Sequence, residues 1–126
     1  MPRKKLLNAN RVRRIKGGFS FIPHRFLTDG FVKALSQEEL LLYLFLVLAS
    51  DRYGLSYYSE KSICSMLGFT SGQYRDACQG LIERDLIASG GILFQVLELP
   101  AAPERSITQM PSRMSALLRQ VGKEIT

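Results

Sequence analysis

Apolar residues recur along this chain with helical spacing in five places and with strand character in three. The best marked stretch runs from Ser59 to Ile87. Ser59 suits an N-cap, and Ile63, Met66 and Leu67 follow at the three-and-four spacing that puts them on one helical face. Gly68 tolerates the left-handed backbone that ends a helix, and Thr70 or Ser71 can cap a second helix after a very short turn. In that second helix Tyr74, Ala77, Cys78, Leu81 and Ile82 form an apolar stripe, while Gly72, Asp76, Gln79 and Glu83 fall on the opposite face, free to meet a partner. The pattern predicts a helix-turn-helix.

Upstream, Ser36 to Glu39 has the form of a capping box, which Leu35 and Leu40 can close as a hydrophobic staple. It predicts a helix from Gln37 to about Ser50. Leu40 to Ala49 is apolar all round, so this helix must be covered on several sides, by the short N-terminal helix, by the C-terminal tail or by a second subunit. Ten apolar residues fall well short of the roughly 20 that span a bilayer, so a buried helix and no membrane insertion are expected. Before it, Pro23 suits the first turn of a short helix through His24 to Leu27, which Gly30 ends before Phe31 and Leu35 return to the core. After it, Asp51 to Gly54 is a polar turn, and Leu55 to Tyr58 is a β-prone stretch able to add a third strand.

Downstream, Leu86 to Ser89 and Ile92 to Leu99 read as strands joined by Gly90 and Gly91, a pair able to take the positive φ angles of a two-residue hairpin. Residues 100–111 contain three prolines and read as a linker. Ser112 can cap a final helix over residues 112–126, whose Met114, Leu117, Leu118, Val121 and Ile125 form one stripe. That stripe needs a surface, either the apolar helix of the same chain or a second copy in a homodimer. The expected class is mainly α with a small β-hairpin wing. The expected organisation is an arm over residues 1–18, a domain over 19–99, the linker and the C-terminal helix.

Helix, turn, helix and hairpin in this order resemble the winged helix-turn-helix superfamily, in the type found in plasmid and phage replication initiators and in bacterial regulators. Ile63, Cys64, Leu67, Gly68, Thr70, Tyr74, Arg75, Ala77, Leu81, Leu86 and Ile87 carry the resemblance, which covers roughly residues 36–99. Cys64 stands where the pattern usually has alanine, and Asp85 where it often has glycine. The resemblance implies a second helix that enters the major groove of duplex DNA, bringing Thr70, Ser71, Gln73, Arg75, Asp76 and Gln79 near base edges or phosphates, with a wing around Ser89, Gly90 and Gly91.

Charge sharpens this expectation. The net charge is +6, and it is unevenly placed. Residues 1–16 hold Arg3, Lys4, Lys5, Arg11, Arg13, Arg14 and Lys16 with no acid, which leaves ten basic residues against all eleven acids in the remainder. A basic block of this kind favours polyanions. The outward face of the second helix carries Asp76 and Glu83, and the wing from Ala88 to Phe94 has no basic residue, so phosphate attraction falls to the arm, with Lys61, Arg75 and Arg84 as minor contributors.

Catalysis is not expected. The chain has no glycine-rich phosphate loop, nucleophile elbow or paired metal-ligand motif. His24, the single histidine, has no ligand-spaced neighbour and reads as an ordinary surface or core residue. Cys64 and Cys78 read as small hydrophobes, with no metal and no cofactor. The expected function is DNA binding in transcription, replication or element mobility. The expected setting is cytoplasmic, nucleoid-associated in a bacterium. The competing reading is a protein-interaction winged helix in which the arm is incidental; an arm held on acidic lipid is weaker, because residues 1–16 lack an amphipathic apolar face.

Overall fold

Ser36 starts the helix on which the rest of the chain is assembled, α3 (Gln37–Ala49). The Ser36 hydroxyl accepts from the Glu39 amide at 3.1 Å and the Glu39 carboxylate accepts from the Ser36 amide at 2.8 Å, closing the expected capping box. The computed structural model describes residues 4–103, so the expectations placed on Arg3, on most of the 100–111 linker and on a helix over 112–126 lie outside the described residues. Five α-helices and a small three-stranded antiparallel sheet make up those residues. This arrangement is compatible with the one the resemblance implies.

α3 buries Leu42, Tyr43, Leu46 and Val47 against α5 (Ser71–Glu83) and the sheet. Phe26 of the segment ahead of it lies on Tyr43 as well, while Leu41, Leu44 and Leu48 are exposed; the C-terminal tail and the second subunit expected as further covers lie outside the described residues. Ahead of it, α1 (Arg25–Thr28) and α2 (Phe31–Ala34) are single turns joined at Gly30, whose φ of +88° suits glycine. α2 is an element that the sequence pattern does not announce. Phe26 ties the pair to α3, its ring stacked on Phe31 at 5.8 Å and on Tyr43 at 4.8 Å.

The exit from α3 turns at Asp51, whose carboxylate accepts from the amides of Tyr53 and Leu55, and leads into β1 (Leu55–Tyr57). α4 (Glu60–Leu67) follows, capped by Ser59 and ended by Gly68 at a φ of +70°. Ile63 is buried and Leu67 partly so, as expected, whereas Met66 points to solvent, 64% exposed, because α4 is covered along a narrower strip than its apolar spacing suggests.

Strands β2 (Ile87–Gly90) and β3 (Leu93–Val96) form the hairpin, and β1 lies on the outer side of β3, giving the order β1-β3-β2. Ser56 faces Phe94 on one side of β3, and Ser89 faces Phe94 on the other. Gly90 pairs with Leu93, so the two turn residues are Gly91 and Ile92, and only Gly91 takes a positive φ. The expected Gly90-Gly91 turn is therefore shifted by one residue, with Gly90 closing the ladder. Leu86 belongs to the end of α5 instead of the strand. Its amide bonds the Leu81 carbonyl while the Asp85 amide bonds that of Ile82, the paired bonds of a Schellman motif. Asp85 itself holds the left-handed conformation there, at a φ of +63°.

Beyond β3 the chain is strapped to the helices. Arg25 donates to the carbonyl oxygens of Leu99, Pro100 and Ala101, and Arg84 donates to that of Pro103 at 3.1 Å.

Candidate nucleic-acid interface

Thr70 sets the start of α5. Its hydroxyl accepts from the Gln73 amide at 3.1 Å, and the Gln73 side chain accepts from the Thr70 amide at 2.9 Å, a second reciprocal capping box. From this cap Ser71, Gly72, Gln73, Arg75, Asp76 and Gln79 all project outside the core, while Ala77, Gly80 and Leu81 are buried. Of the positions expected to meet a partner, Gly72, Asp76 and Gln79 are exposed.

Their side chains are not equally free. The Gln73 oxygen is engaged in the cap, so a two-bond pairing with adenine requires the cap to open. Gln79 donates to Glu83 at 3.3 Å. Arg75 is the least restrained, its side chain 75% exposed and only loosely attached to Glu60 of α4, at 3.9 Å. Lys61, one residue on from Glu60, is exposed as well.

Two expectations about this surface are corrected. Glu83 does not face outward; it is buried at 4% exposure, near the end of α5, which packs on α3 and β2, and it accepts from Gln79. Arg84 is not available to phosphate. Its guanidinium lies 3.5 Å from the Glu39 carboxylate in a largely buried pair and also holds Pro103. Removing Glu83 from the outward face leaves Arg75 and Asp76 as its charged groups, so the helix start is close to neutral and not acidic.

The arm contrasts with this. Lys4, Lys5, Arg11, Arg13, Arg14 and Lys16 are all exposed, and among the described residues none of them enters an ion pair. A single 3₁₀ turn at Ala9–Arg11, capped by Asn8, is the only regular element among its described residues. The wing residues Ser89, Gly90 and Gly91 are exposed, and Ile92 stands beside them at the tip, 59% exposed.

Between α4 and α5, Tyr74 and Cys78 lie one helical turn apart on α5, near Cys64 and Glu60. Burial pushes the Cys78 thiol above its ordinary range, the neighbouring Tyr74 hydroxyl opposes this, and the nearby Glu60 carboxylate and Cys64 add to it. Burial likewise pushes the Tyr74 hydroxyl up, with smaller contributions from Cys78 and Glu60. A thiol held protonated is a poor nucleophile and a poor metal ligand. His24 is exposed at the start of α1. Among the described residues no group of three His, Cys, Asp or Glu side chains is placed to hold a metal ion, and no helix is long and apolar enough to cross a membrane.

No protein-family model matches the chain, and neither a curated protein nor a solved structure matches it.

Proposed function

We propose that the chain is a winged helix-turn-helix DNA-binding protein, acting in transcription or as an accessory of replication or element mobility. The observation that carries this reading is the arm, with its six exposed cations free of ion pairs among the described residues. Such a segment displaces counterions from a phosphate backbone, and its attraction is independent of base sequence. Selectivity then falls to the start of α5, where the Ser71 and Gly72 amides lie at the positive end of the helix dipole and Arg75 is free to pair with a guanine edge. α4 and the Thr70 cap hold that helix end in place, so the recognition surface is rigid while the arm is not part of the core.

Fluorescence anisotropy with duplex DNA over a salt series tests this. Affinity should fall with salt at a logarithmic slope of roughly 0.9 per phosphate contacted, and removal of residues 2–16 should weaken binding to all duplexes alike and flatten that slope. Absence of binding by the intact chain at low salt refutes the reading.

A protein-interaction module is the second reading. The uncharged wing favours it, since Ile92 at its tip and Tyr57 on β1 leave apolar surface open, 59% and 67% exposed. It predicts a partner footprint on the wing and no salt-dependent binding to DNA.

A further inference from the structure

Where the basic arm enters the domain, the fold leaves a cavity of about 940 Å³. Its walls include Phe19 and Phe21 of the incoming segment, Asp51, Arg52 and Tyr53 of the turn before β1, and Glu98 beyond β3. Small-ligand sites measure roughly 300–1,000 Å³, so a nucleobase with its sugar fits here. The cavity also gathers exposed rings. Four Phe or Tyr side chains are exposed among the described residues, and three of them, Phe19, Phe21 and Tyr53, line it; only Tyr57 lies elsewhere. The Arg52 guanidinium stands over the Tyr53 ring, 4.9 Å from its centroid, a stacked pair of the kind to which an unpaired base adds a further layer.

We propose that this cavity holds an unpaired base of a DNA strand whose phosphates lie on the arm, so that the chain prefers duplex interrupted by unpaired bases to continuous duplex. The inference rests on the DNA-binding reading and adds a stacking site to it. Charge selects the occupant. Lys16 precedes Phe19 by three residues, at most about 11 Å of extended chain, so phosphates held by the exposed arm cations leave their bases beside these rings. Asp51 and Glu98 repel phosphate, yet they suit the amino groups on base edges, which donate to carboxylates. Asp51 spends only Oδ1 on the Tyr53 and Leu55 amides, and among the described residues neither carboxylate enters an ion pair. In continuous duplex every base is already stacked, and the site stays idle until one is unpaired. A free nucleotide is the poorer occupant, because six arm cations require a run of phosphates.

Fluorescence anisotropy of the full chain is measured on a continuous duplex, on the same duplex with a central bubble of unpaired thymines, and on that bubble with abasic residues replacing the thymines. The bubble should bind at least about fivefold more tightly than either of the others. Phe19→Ala and Tyr53→Ala should each weaken bubble binding by at least about fivefold and leave the continuous duplex unaffected. Both side chains face solvent, so the variants keep the domain core, which an unchanged urea midpoint verifies. Tyr57→Ala, exposed outside the cavity, should retain the preference. Equal binding to bubble and continuous duplex overturns the stacking site and leaves the DNA-binding reading standing, as does a preference that survives in the abasic bubble or in both cavity variants. Failure to bind any of the three DNAs overturns both.

Discussion

Gly80 of α5 sits directly against the Glu39 side chain of α3, so closely that a Cβ at position 80 would overlap the Glu39 carboxylate. The carboxylate cannot simply swing away. It is 4% exposed, it closes the cap at Ser36 and it faces Arg84 at 3.5 Å. One glycine therefore lets two helices approach around a buried ion pair, and the same arrangement removes Arg84 from the surface.

Alanine at position 80 is ordinarily the better helix former by about 1 kcal/mol. Here Gly80→Ala is expected to destabilise the protein by about 2–3 kcal/mol, through overpacking and displacement of a buried charge. The check is a denaturant double-mutant cycle with Glu39→Ala. In that background most of the Gly80→Ala penalty should vanish, whereas an equal penalty in both backgrounds contradicts the contact.

Asp85 takes a left-handed backbone at the end of α5, where only glycine sits without strain. Asp85→Gly is expected to raise stability by about 0.5–1 kcal/mol after allowing for the greater freedom of glycine in the unfolded chain. Thermal unfolding of the variant should show a higher midpoint, and a lower one would mean that the Asp85 side chain contributes more than its backbone strain.

Binding to a preferred duplex should respond differently to Arg75 and Gln73. Arg75→Ala removes an exposed, weakly held guanidinium and is expected to cost about 1–3 kcal/mol on that site with little change on random DNA. Gln73→Ala first breaks the α5 cap, so part of its effect, about 1 kcal/mol, should appear as lost stability without DNA. Anisotropy titrations paired with urea unfolding separate the two. If Arg75→Ala weakens every duplex equally, Arg75 is a phosphate contact and not a base reader.

Alkaline pH should destabilise the protein through Cys78, Tyr74 and Tyr43, all of which burial holds in the protonated form. Their ordinary values are 9.0 for the thiol and 10.0 for the phenols. Above those values the unfolded chain releases protons that the native chain retains, so unfolding is favoured by rising pH. The contribution is complete below them and disappears as pH climbs through the raised native values. Unfolding free energies measured from neutrality upward should decline from about pH 9, and Cys78→Ala and Tyr74→Phe should each make the decline shallower. A flat profile would place these groups in contact with solvent.

Local signals were legible in the residues themselves. Ser36, Ser59 and Thr70 act on amides within three positions, and Gly68 acts on its own backbone, so the starts of α3, α4 and α5 and the end of α4 follow from short stretches. Polar residues whose partners are distant in sequence were not legible. Glu83 reads as solvent-facing by periodicity, yet it is buried, and Arg84 is taken by Glu39, 45 positions earlier, and by Pro103. The hairpin turn was misplaced by one residue because two adjacent glycines permit either register, and the pairing of Gly90 with Leu93 selects one. At the candidate interface the exposed positions followed from spacing. That Gln73 and Gln79 are already engaged could not, since both side chains bond within their own helix in a manner equally compatible with solvent.

The Arg25 strap has a consequence for the order in which the chain acquires its structure. Arg25 meets Pro100 across 75 positions, so the turn formed by α1 lacks its clamp until almost the whole domain has been synthesised. At roughly 5–20 residues per second, that interval lasts about 4–15 s on a ribosome. Throughout it Phe26 can already stack on Phe31 and Tyr43, which are made early, but the Arg25 bonds to the 99–101 carbonyls are missing. The Arg25 clamp on the N-terminal turn is thus completed late, although the turn itself is among the first parts of the domain to be made.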